Sequence, residues 1–201
     1  MKKRGIFGFF FVIFALSLLP VAAQTNKNAE IKRINSYVKR TDAFTKRSKN
    51  PQLIFADISD YNDDSKSKWR KFASEKALEK FRETSETYTI AYNWQKSGKL
   101  VQSTFTLFSP SGDWAQYDSY YFRENGTLAK IASELRTFYG DLIVLRDLYF
   151  DGKGKLLRQT IRYRDLRTKK PVKKPKDSDY QSSDVKIYKT VRQMPFARLL
   201  K

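Results

Sequence analysis

The chain contains no cysteine and no histidine. Without thiolate or imidazole, ordinary zinc and copper sites are excluded, and so are Ser-His-Asp and Cys-His nucleophilic centres. The missing histidine also removes the side chain that most readily exchanges a proton near neutral pH. With no disulfide available, stability has to come from apolar burial. Fifteen Phe, twelve Tyr and three Trp can supply it, because each aromatic ring removes a large area from water. Negative charge is scarce: 21 Asp and Glu stand against 40 Lys and Arg, a net charge of +19. Long apolar runs are scarce too. Ile6–Leu19 is shorter than the roughly 20 residues of a spanning helix, and no later stretch is apolar enough to span.

That run has a specific context. Lys2, Lys3 and Arg4 precede it, Pro20 breaks it, and Val21-Ala22-Ala23 offers small residues before Gln24. This is the three-part layout of a secretory signal peptide over residues 1–23, cleaved near Ala23. A membrane anchor is the competing reading, and the length of the run argues against it. No Cys follows, so a lipid-modified N-terminus is not expected. Export then places the protein in the periplasm or outside the cell. Removing Lys2, Lys3 and Arg4 with the signal lowers the 40 basic side chains to 37, against an unchanged 21 acidic, so the mature chain carries +16. Such a surface favours anionic partners through long-range attraction. Outside the cytoplasm these are anionic lipid and envelope glycan, with nucleic acid a poorer match.

Along the chain, residues 24–86 read as a helical segment. Ile31, Ile34, Tyr37, Val38 and Phe44 fall on one arc of a helix over 28–47, which Asn50-Pro51 stops. Leu53-Ile54-Phe55 reads as a short strand or buried loop. Asp63, Asp64 or Ser65 can cap a second helix over about 66–84, with Trp69, Phe72, Leu78 and Phe81 on a broad apolar arc. From Thr87 the apolar period becomes two, as in a strand. Gly98, Gly126 and Gly154 recur at a constant interval of 28, as do Leu100, Leu128 and Leu156. Trp94, Phe122 and Phe150 keep the spacing, and so do Tyr92, Tyr120 and Leu148. Each unit reads as a β-hairpin, with Gly and Asn supplying the positive φ that its turn needs. Connections this short cannot join parallel strands.

These patterns predict an α+β fold: an antiparallel meander sheet of six to seven strands over 87–166, built from 28-residue hairpin repeats, with one face covered by two N-terminal helices. Tyr92, Trp94, Tyr120, Phe122, Leu148 and Phe150 are expected to form one ladder beneath those helices, as core or as the wall of an apolar groove. Residues 167–183 read as a basic flexible linker, and 184–201 as a last strand, through Val185, Ile187 and Val191, with an apolar tail.

The unit aromatic-x-x-x-Gly-x-Leu occurs as Trp94…Gly98-x-Leu100, Phe122…Gly126-x-Leu128 and Phe150…Gly154-x-Leu156. It resembles the hairpin units of MORN-variant (YwqK-like) bacterial repeat proteins over the stretch 87–166. The signal peptide, N-terminal helix and antiparallel sheet are similar in architecture to periplasmic lipoprotein carriers (LolA/LolB-like). That likeness implies a surface for an apolar ligand.

Four constellations are candidates for chemistry. Asp60-x-Asn62-x-Asp64 begins like a calcium loop, but Ser65 and Lys71 stand where Gly and a bidentate Glu belong, and an acid-rich helix N-terminus explains the same residues. Asp113, Asp118, Glu124, Glu134, Asp141, Asp147 and Asp151 could pair for glycoside hydrolysis, against a plain reading as solvated surface. Asn125-Gly126-Thr127 is a glycosylation sequon only in a host that glycosylates exported chains. Arg162, Arg164, Arg167, Lys169, Lys170, Lys173 and Lys174 form the strongest anion-binding set. Tyr163 and Tyr180 are too few nearby aromatics for single-strand stacking. The expectation is an exported, non-catalytic envelope protein without cofactor that binds or carries an apolar or anionic ligand. A protein-interaction module of the envelope, or a carboxylate-dependent glycan hydrolase, is the alternative.

Overall fold

The computed structural model describes residues 19–48, 50–60, 67–175 and 184–200, with side chains from residue 26 onward. A long helix, α1 (Leu19–Ser48), leads into β1 (Leu53–Asp57), β2 (Trp69–Phe72) and a short helix, α2 (Glu75–Arg82). Seven strands follow: β3 (Thr89–Lys96), β4 (Lys99–Phe108), β5 (Trp114–Phe122), β6 (Leu128–Thr137), β7 (Leu142–Phe150), β8 (Leu156–Asp165) and β9 (Pro171–Val172). They form one open antiparallel sheet in the order β2-β1-β3-β4-β5-β6-β7-β8-β9. From β3 onward each strand pairs with the next, as the short Gly-containing turns require.

The sheet has nine strands where six to seven were expected. Part of the excess lies in the predicted second helix. Trp69–Phe72 is an edge strand paired with β1, and the helix begins only at Glu75, capped by Ser74 rather than Asp63, Asp64 or Ser65. The Ser74 hydroxyl accepts a hydrogen bond from the Ala77 amide, satisfying one orphan donor of the first turn. Trp69 and Phe72 are three positions apart, a spacing that suits a helix. Pairing with β1 and ring contacts from Trp69 to Phe105 and Phe196 override that local signal. The basic stretch after β8 opens with a turn and the two-residue strand β9, and residues 176–183 of the expected linker lie outside the described residues. Asp165 receives hydrogen bonds from the Arg167 and Thr168 amides and the Thr168 hydroxyl, and this closes a tight turn into β9.

Both helices lie on one face of the sheet. On α1, Ile31, Ile34 and Val38 pack against Tyr121, Ala129 and Tyr149. On α2, Leu78 and Phe81 pack against Ile54, Ala56, Ile90, Tyr92 and Phe72. The opposite face is covered by the C-terminal segment. Met194 and Phe196 are buried there with Phe55, Phe105, Tyr120, Phe122, Leu128, Ile131, Leu148 and Phe150. This segment holds two 3-10 turns, Val191–Gln193 and Ala197–Leu199, and an isolated bridge from Thr190 to Thr127, so the strand expected at Val185, Ile187 and Val191 is not among the described residues. It is tied down by the Tyr120 hydroxyl donating to Lys186 O at 2.8 Å, by Leu128 N to Lys189 O and by Val191 N to Gly126 O.

The expected single ladder is therefore split between the faces. Directly paired residues share a face. Tyr120 pairs with Ser103, which pairs with Asn93, so Asn93 and not Tyr92 is its counterpart on β3. Trp94 pairs with Gln102, which pairs with Tyr121 on the α1 side. The cause is turn length. Phe122 pairs with Leu128 and Phe150 with Leu156, six positions apart, but Gln95 pairs with Leu100, five apart. The first turn, with Ser97 and Gly98 both at positive φ, is shorter by one position. A one-residue offset moves every side chain of the preceding strand to the other face. The glycine and leucine period of 28 holds across all three units; before the first turn, structural equivalence runs at 27. A bulge accompanies each turn, beside Trp94, Tyr121 and Tyr149. The extra residues, Val101, Ala129 and Leu157, fall on the helical side: Ala129 and Leu157 pack in the α1 cluster and Val101 lines its groove.

Candidate functional site

The apolar set divides accordingly. Tyr120, Phe122, Leu148 and Phe150 are buried beneath the C-terminal segment, and Phe122 has no exposed surface. They are core, and Tyr120 also forms part of the wall of a cavity. Tyr92 and Trp94 are half-buried on the helical face, Tyr92 beside α2.

The basic set, by contrast, is brought together and stays exposed. Arg162 and Arg164 point to the same face of β8, Arg167, Lys169 and Lys170 occupy the β8–β9 turn, and Lys173 and Lys174 follow β9. Arg158 joins them on the same face of β8. Its even spacing from Arg162 is legible in the sequence, but it stands upstream of the charge run and so escapes a search for runs. Its guanidinium lies 4.9 Å from the Tyr149 ring. Arg162 pairs with Asp147 at 2.9 Å, and Lys130 reaches the same carboxylate at 2.7 Å. Among the described residues no carboxylate pairs with Arg158, Arg164, Arg167, Lys169, Lys170, Lys173 or Lys174. The turn's hydrogen bonds hold the Asp165 carboxyl below its ordinary value, with the Thr168 amide the largest cause.

This turn has an apolar neighbour that sequence reasoning missed. Leu166 N donates to Asp141 O at 2.7 Å, which places the β6–β7 turn against the β8–β9 turn. The β6–β7 turn carries Phe138 and Tyr139, with 67% and 46% of their surfaces exposed. The whole of β7 and β8 separates the two turns along the chain, and they meet only because β6, β7 and β8 are consecutive strands of similar length. Exposed rings and unpaired cations thus share one corner of the sheet.

A second feature lies on the face beneath the C-terminal segment. A cavity of about 230 Å³ opens between β2–β5 and the tail. Trp69, Phe105, Leu107, Tyr120, Tyr188 and Pro195 line it with Asp57, Asp118, Asp184 and Lys186. Asp118 is only 2% exposed. Gln116 Nε2 donates to both its oxygens, at 3.1 and 3.0 Å. Burial pushes the Asp118 carboxyl above its ordinary value, and hydrogen bonds from Ser133 and Gln116 and the charge of Arg146 oppose that rise. The Tyr120 and Tyr188 hydroxyls are pushed up too, by burial first and then by the Asp118 charge. Separate chain segments, from Asp57 to Pro195, build this cavity, so no local motif marks it.

Four other acids have structural duties. Asp147 holds Lys130 and Arg162, Glu134 pairs with Arg136 at 2.7 Å, and Asp151 caps its turn through the Lys153 and Lys155 amides. Asp57 accepts bonds from the Ser59 amide and hydroxyl and the Lys68 amide. Asn62, Asp63 and Asp64 of the calcium-like loop lie outside the described residues, and among those described no cluster of acids has the arrangement of a metal site. Searched as a whole, the chain matches no family model, no curated protein and no solved structure.

Proposed function

We propose that this is an exported, non-catalytic protein that docks on anionic lipid surfaces through the corner formed by the β6–β7 and β8–β9 turns. The observation that carries the reading is the Leu166–Asp141 hydrogen bond, which joins the turn bearing Phe138 and Tyr139 to the turn bearing Arg167, Lys169 and Lys170. Amphipathic rings favour the headgroup zone of a bilayer, and each Lys or Arg near an anionic leaflet contributes about 1 kcal/mol. Neither signal is strong alone; together they give the two-part anchoring that peripheral binding needs. The basic row Arg158, Arg162 and Arg164 widens the cationic face, and a +16 mature charge steers the protein toward such a surface. Export rests on the residue 1–23 pattern. Cleavage at Ala23 leaves the α1 side chains Ile31, Ile34 and Val38 that pack on the sheet.

Co-sedimentation with vesicles of phosphatidylglycerol and phosphatidylcholine, against phosphatidylcholine alone, tests the docking. The mixed vesicles should bind the protein at low salt and release it steeply as salt rises. Lys169→Glu with Lys170→Glu should weaken binding about thirtyfold or more, from ~2 kcal/mol of lost attraction. Phe138→Ser should weaken it further without changing the salt slope. Equal binding to both vesicles, or a double variant that binds like the parent, would overturn the reading. Mass measurement of the protein recovered from its own cells tests export: an intact N-terminus removes it.

A further inference from the structure

The cavity beneath the C-terminal segment differs in sign from the rest of the molecule. In a chain of net charge +19, its lining offers three carboxylates and one ammonium, Asp57, Asp118 and Asp184 against Lys186. Its apolar wall is aromatic. Trp69 stands edge-on to Phe105 at 5.7 Å, and Tyr188 stacks on the same ring at 6.1 Å and tilts against Tyr120 at 5.6 Å. Trp69 and Tyr188 remain partly exposed to the cavity.

The rings of the two sheet faces are served unequally by the protein's own cations. Five guanidinium or ammonium groups of the described residues make six contacts over aromatic rings, at Phe72, Phe81, Phe108, Tyr117 and Tyr149. All five rings belong to the helical side. None of the described cations lies over Trp69, Phe105, Tyr120 or Tyr188, although cations outnumber acids almost two to one. An aromatic wall whose negative ring faces carry no cation of the described residues, beside a buried carboxylate and with Lys186 the one ammonium in the lining, has the chemistry that recognises an organic ammonium group. Gln116 strengthens the match. By donating to both Asp118 oxygens it fixes the carboxylate's orientation without neutralising it.

We propose that this cavity binds an alkylammonium group, with Trp69 and Tyr188 contacting its methyl or methylene surface and Asp118 supplying the counter-charge. The volume of about 230 Å³ lies below the ~300–1,000 Å³ of sites for drug-sized ligands. The cavity therefore takes a head group and leaves the rest of the ligand outside. This site and the lipid-docking corner share no residue, so each can fail alone.

The test is titration of the whole protein with choline, with its uncharged isostere 3,3-dimethylbutan-1-ol, and with glycerophosphocholine, read by the indole N–H resonance of Trp69. Choline should shift that resonance saturably, and the uncharged isostere should bind at least tenfold more weakly. Tighter binding of glycerophosphocholine than of choline would assign the group to a lipid headgroup; the reverse order would assign it to a free amine. Asp118→Asn should weaken choline by at least tenfold with the resonance otherwise unmoved. Trp69→Leu, followed through the Tyr188 ring, gives the same answer if Asp118→Asn does not fold. Equal shifts from choline and its isostere, no shift from any of the three, or an Asp118→Asn variant that binds choline like the parent would overturn the proposal.

Discussion

The two faces of the sheet are built from similar rings and covered by different means. The helical face has regular cover. α1 presents Ile31, Ile34 and Val38 at helical spacing, and cations from Arg70 to Arg158 sit over the rings of this face. The other face is sealed by a segment with almost no regular structure, held by individual contacts. Phe196 stacks on Phe55 with ring centres 4.5 Å apart and also meets Phe105 and Trp69. Such a cover cannot register residue by residue, and the acid-lined cavity lies beneath it. Asn93 Oδ1 and Ser103 Oγ are buried on this side without a hydrogen-bond partner. The helical face has open volume too, a groove of about 310 Å³ along α1 beside Tyr37, Phe44 and Val101, and Trp94 Nε1 and Gln102 Oε1 are buried there without a hydrogen-bond partner; what sets it apart is its cation-dressed rings.

Truncation of single anchors should expose that contrast most. Phe196→Ala should cost about 3–5 kcal/mol, because a fully buried ring is lost where the irregular segment has no neighbouring turn to close the gap. Ile34→Ala on α1 should cost less, about 2–3 kcal/mol, since Ile31 and Val38 keep the helix docked. Denaturant unfolding of both variants measures this. If Ile34→Ala proved the more damaging, the tail would be an accessory and not a cover.

The smallest effect is the most specific. Asp118 is buried with a raised carboxyl value, so the folded state holds its proton more tightly than the unfolded chain. Stability from this group is greatest below the ordinary value of 3.8 and is lost as pH rises toward the raised value. Arg146 opposes that loss, and the neighbouring Tyr120 and Tyr188 stay neutral throughout. Asp118→Asn should therefore raise the melting temperature at neutral pH by a few degrees, as ~1 kcal/mol moves a domain of this size by ~2–4 °C. Near pH 3 it should change nothing. A variant less stable than the parent at neutral pH would mean that the charge is internally compensated. A gain in stability coupled to loss of choline binding would mark the carboxylate as kept for function.

Much of this architecture is legible in the residues, and the exceptions are instructive. The α1 stripe, the glycine turns and the antiparallel order follow from local rules, because hydrophobic period and positive φ act within a few positions. The Tyr92–Trp94 assignment failed because counting from glycine to glycine hides the length of the turn between paired strands. Trp69–Phe72 failed because so short a strand at an edge cannot show its period. The tail failed because Met194 and Phe196 carry no repeating pattern, and their buried partners lie far upstream, from Phe55 to Phe150. The basic hairpin was visible as charge, but its aromatic neighbours Phe138 and Tyr139 were not, since a backbone hydrogen bond between two turns leaves no trace in composition.

What the chain order alone decided is the list of hairpins, the excess of positive charge, and the chemistry ruled out by lacking imidazole and thiol. Those properties depend on residues close together or on simple totals. Which side each ring occupies, what seals the second side, and where Asp118 comes to rest among Trp69 and Tyr188 were decided only by tertiary structure. Each depends on a one-residue offset or on surface burial between remote segments, and such terms are settled by the packing of the whole rather than by any stretch of it.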